Sequence, residues 1–180
     1  MKIAINGSLG SGKSTVAKML AADLSWPYIA TGARFREMAR ERNMDLAAFS
    51  RYAEENPYVD EAVDNWLKSF NDVEEDMVID SRMAPFFIRD AFKVRLVVSD
   101  EEGARRIFQD EARGQEERFE SIEAAKEAYR VRSESERLRY FERYKVDVED
   151  LSQYDIIMDT SDMTPEEVCA RIKIQALARA

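Results

Sequence analysis

Apolar positions along this chain fall into short β-type runs separated by longer stretches with helical spacing. Strands are predicted at Lys2 to Asn6, Tyr28 to Ala30, Met77 to Asp80, Val94 to Val98 and Tyr154 to Met158. Such runs alternating with helices predict an α/β fold, a parallel sheet covered by helices. After the first run, Val16, Ala17, Met19, Leu20 and Leu24 recur at helical intervals. Ser99-Asp100-Glu101-Glu102 and Thr164-Pro165-Glu166-Glu167 each set a hydroxyl three residues before a carboxylate, a capping box that opens a helix. The second adds proline at the first helical position and leads a helix expected over Pro165 to Arg179. From Arg34 to Asp72 the spacing is helical, with a break at Pro57, which predicts a small helical insertion. Asp110 to Lys145 has few strand formers and predicts one or two long, mostly exposed helices. No internal repeat or low-complexity segment interrupts the pattern.

Composition narrows what this architecture can do. The 180 residues, 45% of them apolar, suffice for one well-packed core and hardly for two, so a single domain is expected. Acidic residues outnumber basic ones 36 to 27, a net charge of −9, which disfavours a nonspecific nucleic-acid binder and points to a small-molecule partner. Cys169 is the only cysteine and histidine is absent, which excludes Cys/His metal sites, disulfides within the chain and His-based triads. With no signal-like h-region and no uncharged 18-residue apolar stretch, a soluble, cytoplasmic protein without a membrane partner is expected. A monomer is favoured over a dimer, with the Pro165 to Arg179 helix open to either plain packing or a dimer contact.

Candidate chemistry begins directly after the first strand. Gly7-Ser8-Leu9-Gly10-Ser11-Gly12-Lys13-Ser14 fills every fixed position of G-x-x-x-x-G-K-[ST], the triphosphate-binding P-loop, and sits between a strand and a helix as that loop requires. Glycines let the backbone N–H groups face phosphate oxygens, and the helix N-terminus adds partial positive charge. The motif assigns Gly7, Ser8, Gly10, Ser11, Gly12, Lys13, Ser14 and Thr15 to the nucleotide, with Lys13 on the β/γ-phosphates and Ser14 on Mg²⁺. The guanine-reading N-K-x-D motif and the signature of transporter ATPases are absent, which favours ATP as the donor for a small phosphotransferase.

A phosphotransferase must bring two anionic substrates together, so it needs cations on both sides of the transferred group. Thr31-Gly32-Ala33-Arg34-Phe35-Arg36 follows the second strand at the sheet edge where open α/β folds bind ligands. An arginine there can fork onto a monophosphate, with Thr31 hydrogen-bonding the acceptor, although a solvated arginine would look the same in sequence. Met77-Val78-Ile79-Asp80-Ser81-Arg82 ends a strand with a carboxylate suited to Mg²⁺ and its waters and an arginine suited to the acceptor; a strand-end salt bridge is the competing reading. Arg130 to Arg143 holds five arginines, and Arg132, Glu136, Arg139 and Arg143 share one helical stripe. Spacing alone does not separate a catalytic lid from a solvated charged face.

These blocks together resemble the short, archaeal-type cytidylate kinases, within the nucleoside monophosphate kinases. The resemblance runs over nearly the whole chain: the P-loop; Thr31-Gly32-Ala33 with Phe35-Arg36; Glu41-Arg42 through Met44-Asp45-Leu46, Phe49-Ser50 and Tyr52-Ala53-Glu54-Glu55; Asp80 with Arg82; Arg132 with Glu134 to Arg137, Arg139 and Tyr140; and Tyr154-Asp155 with Thr160-Ser161. It implies a three-layer P-loop kinase fold with a five-stranded parallel sheet. The core would be 1–30, 73–109 and 146–180, with an acceptor-binding insertion at 31–72 and a lid at 110–145. It further implies ATP with Mg²⁺ as the donor and CMP or dCMP as the acceptor. Thr31, Gly32, Arg36, Arg82, Arg132, Glu136 and Arg139 would hold that acceptor, with Thr31 helping to read cytosine. Lys13, Arg132, Arg137 and Arg139 would be catalytic, and Ser14 and Asp80 would hold the metal. Members usually carry an acidic or polar residue near Ala30 and Ala33, glycine at Ser81, and in the longer bacterial forms an aspartate at Met83. These departures leave UMP and other monophosphates open as acceptors. A kinase for a small metabolite alcohol, with Asp80 as base, and a non-catalytic ATP-binding regulator are the other readings.

Overall fold

The computed structural model describes residues 1–110 and 119–179; the side chains of residues 46, 47, 129, 132, 135 and 136 fall outside that description. Five parallel strands form the sheet: β1 (Lys2–Gly7), β2 (Tyr28–Ala30), β3 (Met77–Asp80), β4 (Phe92–Val97) and β5 (Ile156–Asp159), in the order β2-β3-β1-β4-β5. Eight helices are described: α1 (Lys13–Leu24), α2 (Thr31–Glu41), α3 (Leu46–Glu55), α4 (Tyr58–Ser69), α5 (Ala84–Phe87), α6 (Asp100–Gln109), α7 (Ile122–Tyr144) and α8 (Pro165–Arg179).

Central β1 is apolar without alternation because both its faces are covered. Ile3 and Ile5 pack with Val94 and Leu96 against Val16 and Leu20 of α1 and Val168 and Ile172 of α8. Ala4 and Ile79 face the opposite layer, where Leu67 of α4 and Met83 and Ile88 around α5 meet them. The helices α2 to α4 have a small core of their own, Met38, Phe49, Ala53, Val59 and Val63, with the Phe35 and Phe49 rings 4.7 Å apart. The expected three layers and five parallel strands are present, and no helix among the described residues is long and apolar enough to cross a membrane.

Details of the boundaries depart from the sequence pattern for local reasons. The fourth strand starts earlier, at Phe92, and the fifth later, at Ile156, because Asp155 fixes the register: its N–H donates to the Lys93 carbonyl and its carboxylate accepts from the Lys93 N–H. The helical stretch begins at Thr31, with no gap after β2, and breaks at Asn43 as well as at Pro57. Asn43 adopts φ 53°, a left-handed conformation that asparagine tolerates, and Asp45 then caps α3 by accepting from the Ala48 N–H. Within Asp110 to Lys145 a single helix, α7, is described; residues 111–118 lie outside the description. The Thr164 box closes in both directions, Glu167 N–H to Thr164 Oγ1 at 3.2 Å and Thr164 N–H to Glu167 at 2.8 Å. The Ser99 box closes only one way, because Arg105 and Arg106 draw the Glu102 carboxylate away and the Ser99 N–H turns to Ser161.

These contacts set expected stability losses. Ile172→Ala should cost about 2–5 kcal/mol, and Thr164→Ala about 1 kcal/mol, both read by urea denaturation.

Candidate active site

The loop between β1 and α1 is shaped by two glycines in left-handed conformations, Gly10 at φ 75° and Gly12 at φ 77°. A Cβ on Gly10 would lie 2.4 Å from the Gly103 carbonyl oxygen, so α6 docks directly on the loop. Helix α1 has Gly12 at its N-cap, no side-chain cap and no acidic residue in its first turn, whereas α6 carries a hydroxyl cap and three acidic residues. The first N–H groups of α1 are therefore left for an anion. The loop is braced from behind: Ser8 N–H donates to the Leu96 carbonyl at 3.0 Å, and the Thr160 hydroxyl donates to the Ser11 carbonyl at 3.0 Å. Arg106 reaches the Gly10 carbonyl at 3.4 Å and the Thr160 carbonyl at 2.7 Å, tying the loop to the segment after β5.

At the end of β3, Asp80 accepts from the Lys13 ammonium and from the Tyr28 hydroxyl at 2.9 Å, with the Ser14 hydroxyl beside it. Burial alone would raise the Asp80 pKa. The Lys13 charge and the hydrogen bonds from Lys13, Ser14 and Tyr28 outweigh it and hold the carboxyl below its ordinary value of 3.8. Tyr28 responds in the opposite sense, because burial and the Asp80 charge both push its hydroxyl pKa up. Ser14 and Asp80 offer hard oxygen donors, which suits Mg²⁺; two protein ligands are few, in keeping with an ion that retains several waters.

A cleft of about 1500 Å³ opens from this point. It is lined by the P-loop, by Thr31, Gly32 and Arg36 of α2, by Arg82 after β3, and by Arg139 and Arg143 of α7. Arg36 makes no hydrogen bond or ion pair among the described residues, and a Cβ on Gly32 would sit 3.6 Å from its guanidinium. Arg139 and Arg143 lie 3.6 and 3.7 Å from Asp60 of α4, and Arg143 also pairs with Glu61 at 2.9 Å and donates to the Pro57 carbonyl. Arg139 Nε is buried without a partner among the described residues. Tyr144 donates to Asp64, whose burial raises its pKa against the effect of that bond.

Not every expected residue meets in the cleft. Arg137 pairs with Asp147 at 3.1 Å and faces a separate cavity of about 280 Å³, lined also by Arg82 and Arg95. Arg130 is bound to Glu127 and Glu134 on the surface. Arg132 and Glu136 belong to α7, with side chains outside the description. Sequence reasoning assigned no role to Tyr28, Asp60, Asp64, Arg106 or Tyr144, and left Arg143 as one member of a stripe. Only Arg143 carried a signal, its i+4 spacing from Arg139. Beneath the loop, fully buried Asn6 was also missed: its Nδ2 donates to the Arg82 carbonyl at 3.0 Å and the Tyr154 hydroxyl at 2.6 Å, while its Oδ1 accepts from Arg95 at 3.0 Å.

Comparison with known proteins follows the same outline. A family model described as the cytidylate kinase-like family matches residues 2–162. The cytidylate kinase of Methanothermobacter thermautotrophicus is 37% identical over 166 residues, covering 92% of this chain and 99% of that protein. The cytidylate kinase of Thermoplasma volcanium is 35% identical over 176 residues, covering 96% and 89%. Among solved structures, an uncharacterized protein from Eubacterium ventriosum superposes with a TM-score of 0.73 at 16% identity, covering 99% of each chain. A shikimate kinase from Bacteroides thetaiotaomicron superposes with a TM-score of 0.66 at 16% identity, covering 100% of this chain and 99% of that one. These two likenesses concern the fold alone.

The depressed Asp80 pKa has a definite sign in stability. The contribution is complete above the unfolded value, about pH 4, and is lost as pH falls through the lower folded value. In urea denaturation between pH 6 and 3, Asp80→Asn should therefore be less stable than the parent at pH 6 and lose stability less steeply below pH 4.

Proposed function

The chain belongs to the cytidylate kinase-like family, and from that membership we propose that it transfers the γ-phosphoryl group of ATP to CMP or dCMP, producing ADP and the pyrimidine nucleoside diphosphate. The observation that carries this reading is a pair of elements suited to anions facing one cleft: the uncapped N-terminus of α1 on one side and, on the other, the guanidinium of Arg36, unpaired among the described residues. A protein that only bound ATP would have no use for the second.

ATP phosphates would lie in the P-loop, with Gly7, Ser8, Gly10, Ser11, Gly12 and Thr15 framing the backbone donors and Lys13 leaving Asp80 for the β/γ-oxygens. Ser14 and Asp80 would hold Mg²⁺, which when bound neutralises charge on the phosphate oxygens. Arg36 and Arg82 would fork onto the acceptor phosphate, with Thr31 and Gly32 alongside. A monophosphate has a second pKa of about 6, so at neutral pH it attacks as the dianion and no side chain has to take a proton. As its oxygen bonds to the γ-phosphorus, the bond to the β-phosphate oxygen breaks, and Lys13, Arg139 and, by the family resemblance, Arg132 serve the charge that shifts across the transferred group, while Glu136, by the same resemblance, belongs to the acceptor site. Arg137, turned to Asp147, is assigned no step.

Asp60 occupies Arg139 and Arg143 across the cleft, so the acceptor phosphate has to replace a carboxylate rather than water. In this reading the insertion at 31–72 and the lid at 110–145 close toward one another and exclude water that would otherwise receive the phosphoryl group. The enzyme acts as a cytoplasmic monomer on small nucleotides; its net charge of −9 suits neither nucleic acid nor an anionic membrane surface.

The test is ADP formation from Mg-ATP with CMP, dCMP, UMP, AMP and GMP in parallel, beside an acceptor-free control. CMP or dCMP should stimulate strongly, and the absence of stimulation by every monophosphate would overturn the reading. Lys13→Met should lower kcat by about 100-fold or more. Arg36→Ala should act mainly on the acceptor's KM and leave that of ATP nearly unchanged. Removing Mg²⁺ with a chelator should abolish turnover, with recovery when the ion is restored.

A further inference from the structure

We propose that Glu54 of α3 selects the acceptor base by accepting a hydrogen bond from the exocyclic amino group of a 4-aminopyrimidine, and so separates cytosine from uracil. The proposal rests on the kinase reading above.

Around the acceptor arginines, Glu37 is paired with Arg34 and does not line the cleft, and Ala30, Ala33, Ser81 and Met83 supply no ionic acceptor for a base. Ala30 and Ala33 lack polar side-chain atoms. Met83, directly after Arg82, is 3% exposed and packs with Ile79 and Ile88 under the sheet. Recognition of the base therefore falls to the wall built by the inserted helices. Three carboxylates line that wall, and two are engaged: Asp60 by Arg139 and Arg143, Asp64 by the Tyr144 hydroxyl. Glu54 lines the same cleft and makes no hydrogen bond or ion pair among the described residues.

Its surroundings suit a flat heterocycle. Ala53 and Val63 supply apolar surface, and Ser50, four residues before Glu54 and thus on the same face of α3, lines the same cleft. The helix is rigidly seated: Phe49 is fully buried against Phe35, and the Asp45 cap fixes its first turn. A carboxylate in that place attracts the N4 amino group of cytosine, a donor, and repels the O4 of uracil, an acceptor. Since a base that cannot make the bond leaves a charged acceptor facing another acceptor, the discrimination is expected to be large.

The experiment measures kcat/KM for CMP and UMP with the wild-type protein, Glu54→Gln and Glu54→Ala, together with binding of CMP and of UMP by calorimetry without ATP. The wild type should favour CMP. Both variants should narrow the CMP-to-UMP ratio by about 10- to 100-fold, chiefly through a higher KM for CMP, with the KM for ATP unchanged. An unchanged ratio, or an equal loss with both nucleotides, would overturn the role of Glu54 and leave the kinase reading standing. A wild-type protein that preferred UMP would do the same. Failure of the wild type with every monophosphate would remove the kinase reading and this inference with it.

Discussion

Two opposite charges meet at the carboxyl edge of the sheet, Lys13 at the start of α1 and Asp80 at the end of β3, and the surrounding architecture follows from the need to hold them there. Neither would be stable alone in a setting where the Asp80 side chain is 5% exposed. Tyr28 comes from β2 and Ser14 from α1, so three neighbouring elements converge on one carboxylate. Adjacent parallel strands place β1 and β3 side by side, with Ile5 opposite Asp80. Two helices, α1 and α8, close one face over Ile3 and Ile5 and keep the pair's foundation dry. A buried pair of this kind contributes little net stability compared with apolar packing. In the proposed reaction a phosphate would take Asp80's place as the partner of Lys13, and Mg²⁺ would take the place of Lys13 beside Asp80.

The same exchange recurs across the cleft. Asp60 stands against Arg139 and Arg143, so these cations are held in place across the cleft, where the proposed reading puts a substrate anion. Preorganised charge avoids reorganisation when the reaction occurs. Arg36 is the exception, without hydrogen bond or ion pair among the described residues, in keeping with the acceptor role proposed for it. The cleft of this acidic chain holds both signs of charge, and carboxylates such as Asp60, Asp80 and Glu127 partner its arginines and lysine or those beside it.

Much of this was legible in the sequence because it is local. The P-loop is eight consecutive residues, the Thr164 cap is four, and the buried strands are continuous apolar runs. Asp80, Arg36 and Arg82 were readable as strand-end chemistry. What escaped depends on pairing between distant segments. Arg137 and Arg139 are two residues apart and look alike in sequence, yet one turns to Asp147 and the other to the cleft, because 3.6 residues per turn put them on different faces. Asp60 and Asp64 gain their meaning only from α7, about 80 residues away. Arg106 reads as a surface helix residue until α6 is docked on Gly10.

Asn6 is the point where these distant segments become one object. A single buried amide joins the strand below the P-loop, the carbonyl of Arg82, the guanidinium of Arg95 on β4 and the phenol of Tyr154, which in turn donates to the carbonyl of Val148 beyond the lid helix. Both N–H donors of that amide are committed, and Arg95, 3% exposed, divides its guanidinium between the Asn6 Oδ1 and Glu149. Replacing Asn6 with an apolar residue would leave Arg95 to Glu149 alone and remove support from the Arg82 carbonyl and the Tyr154 phenol at the same time, so one side chain fastens β1 to the turn after β3, to β4 and to the segment before β5.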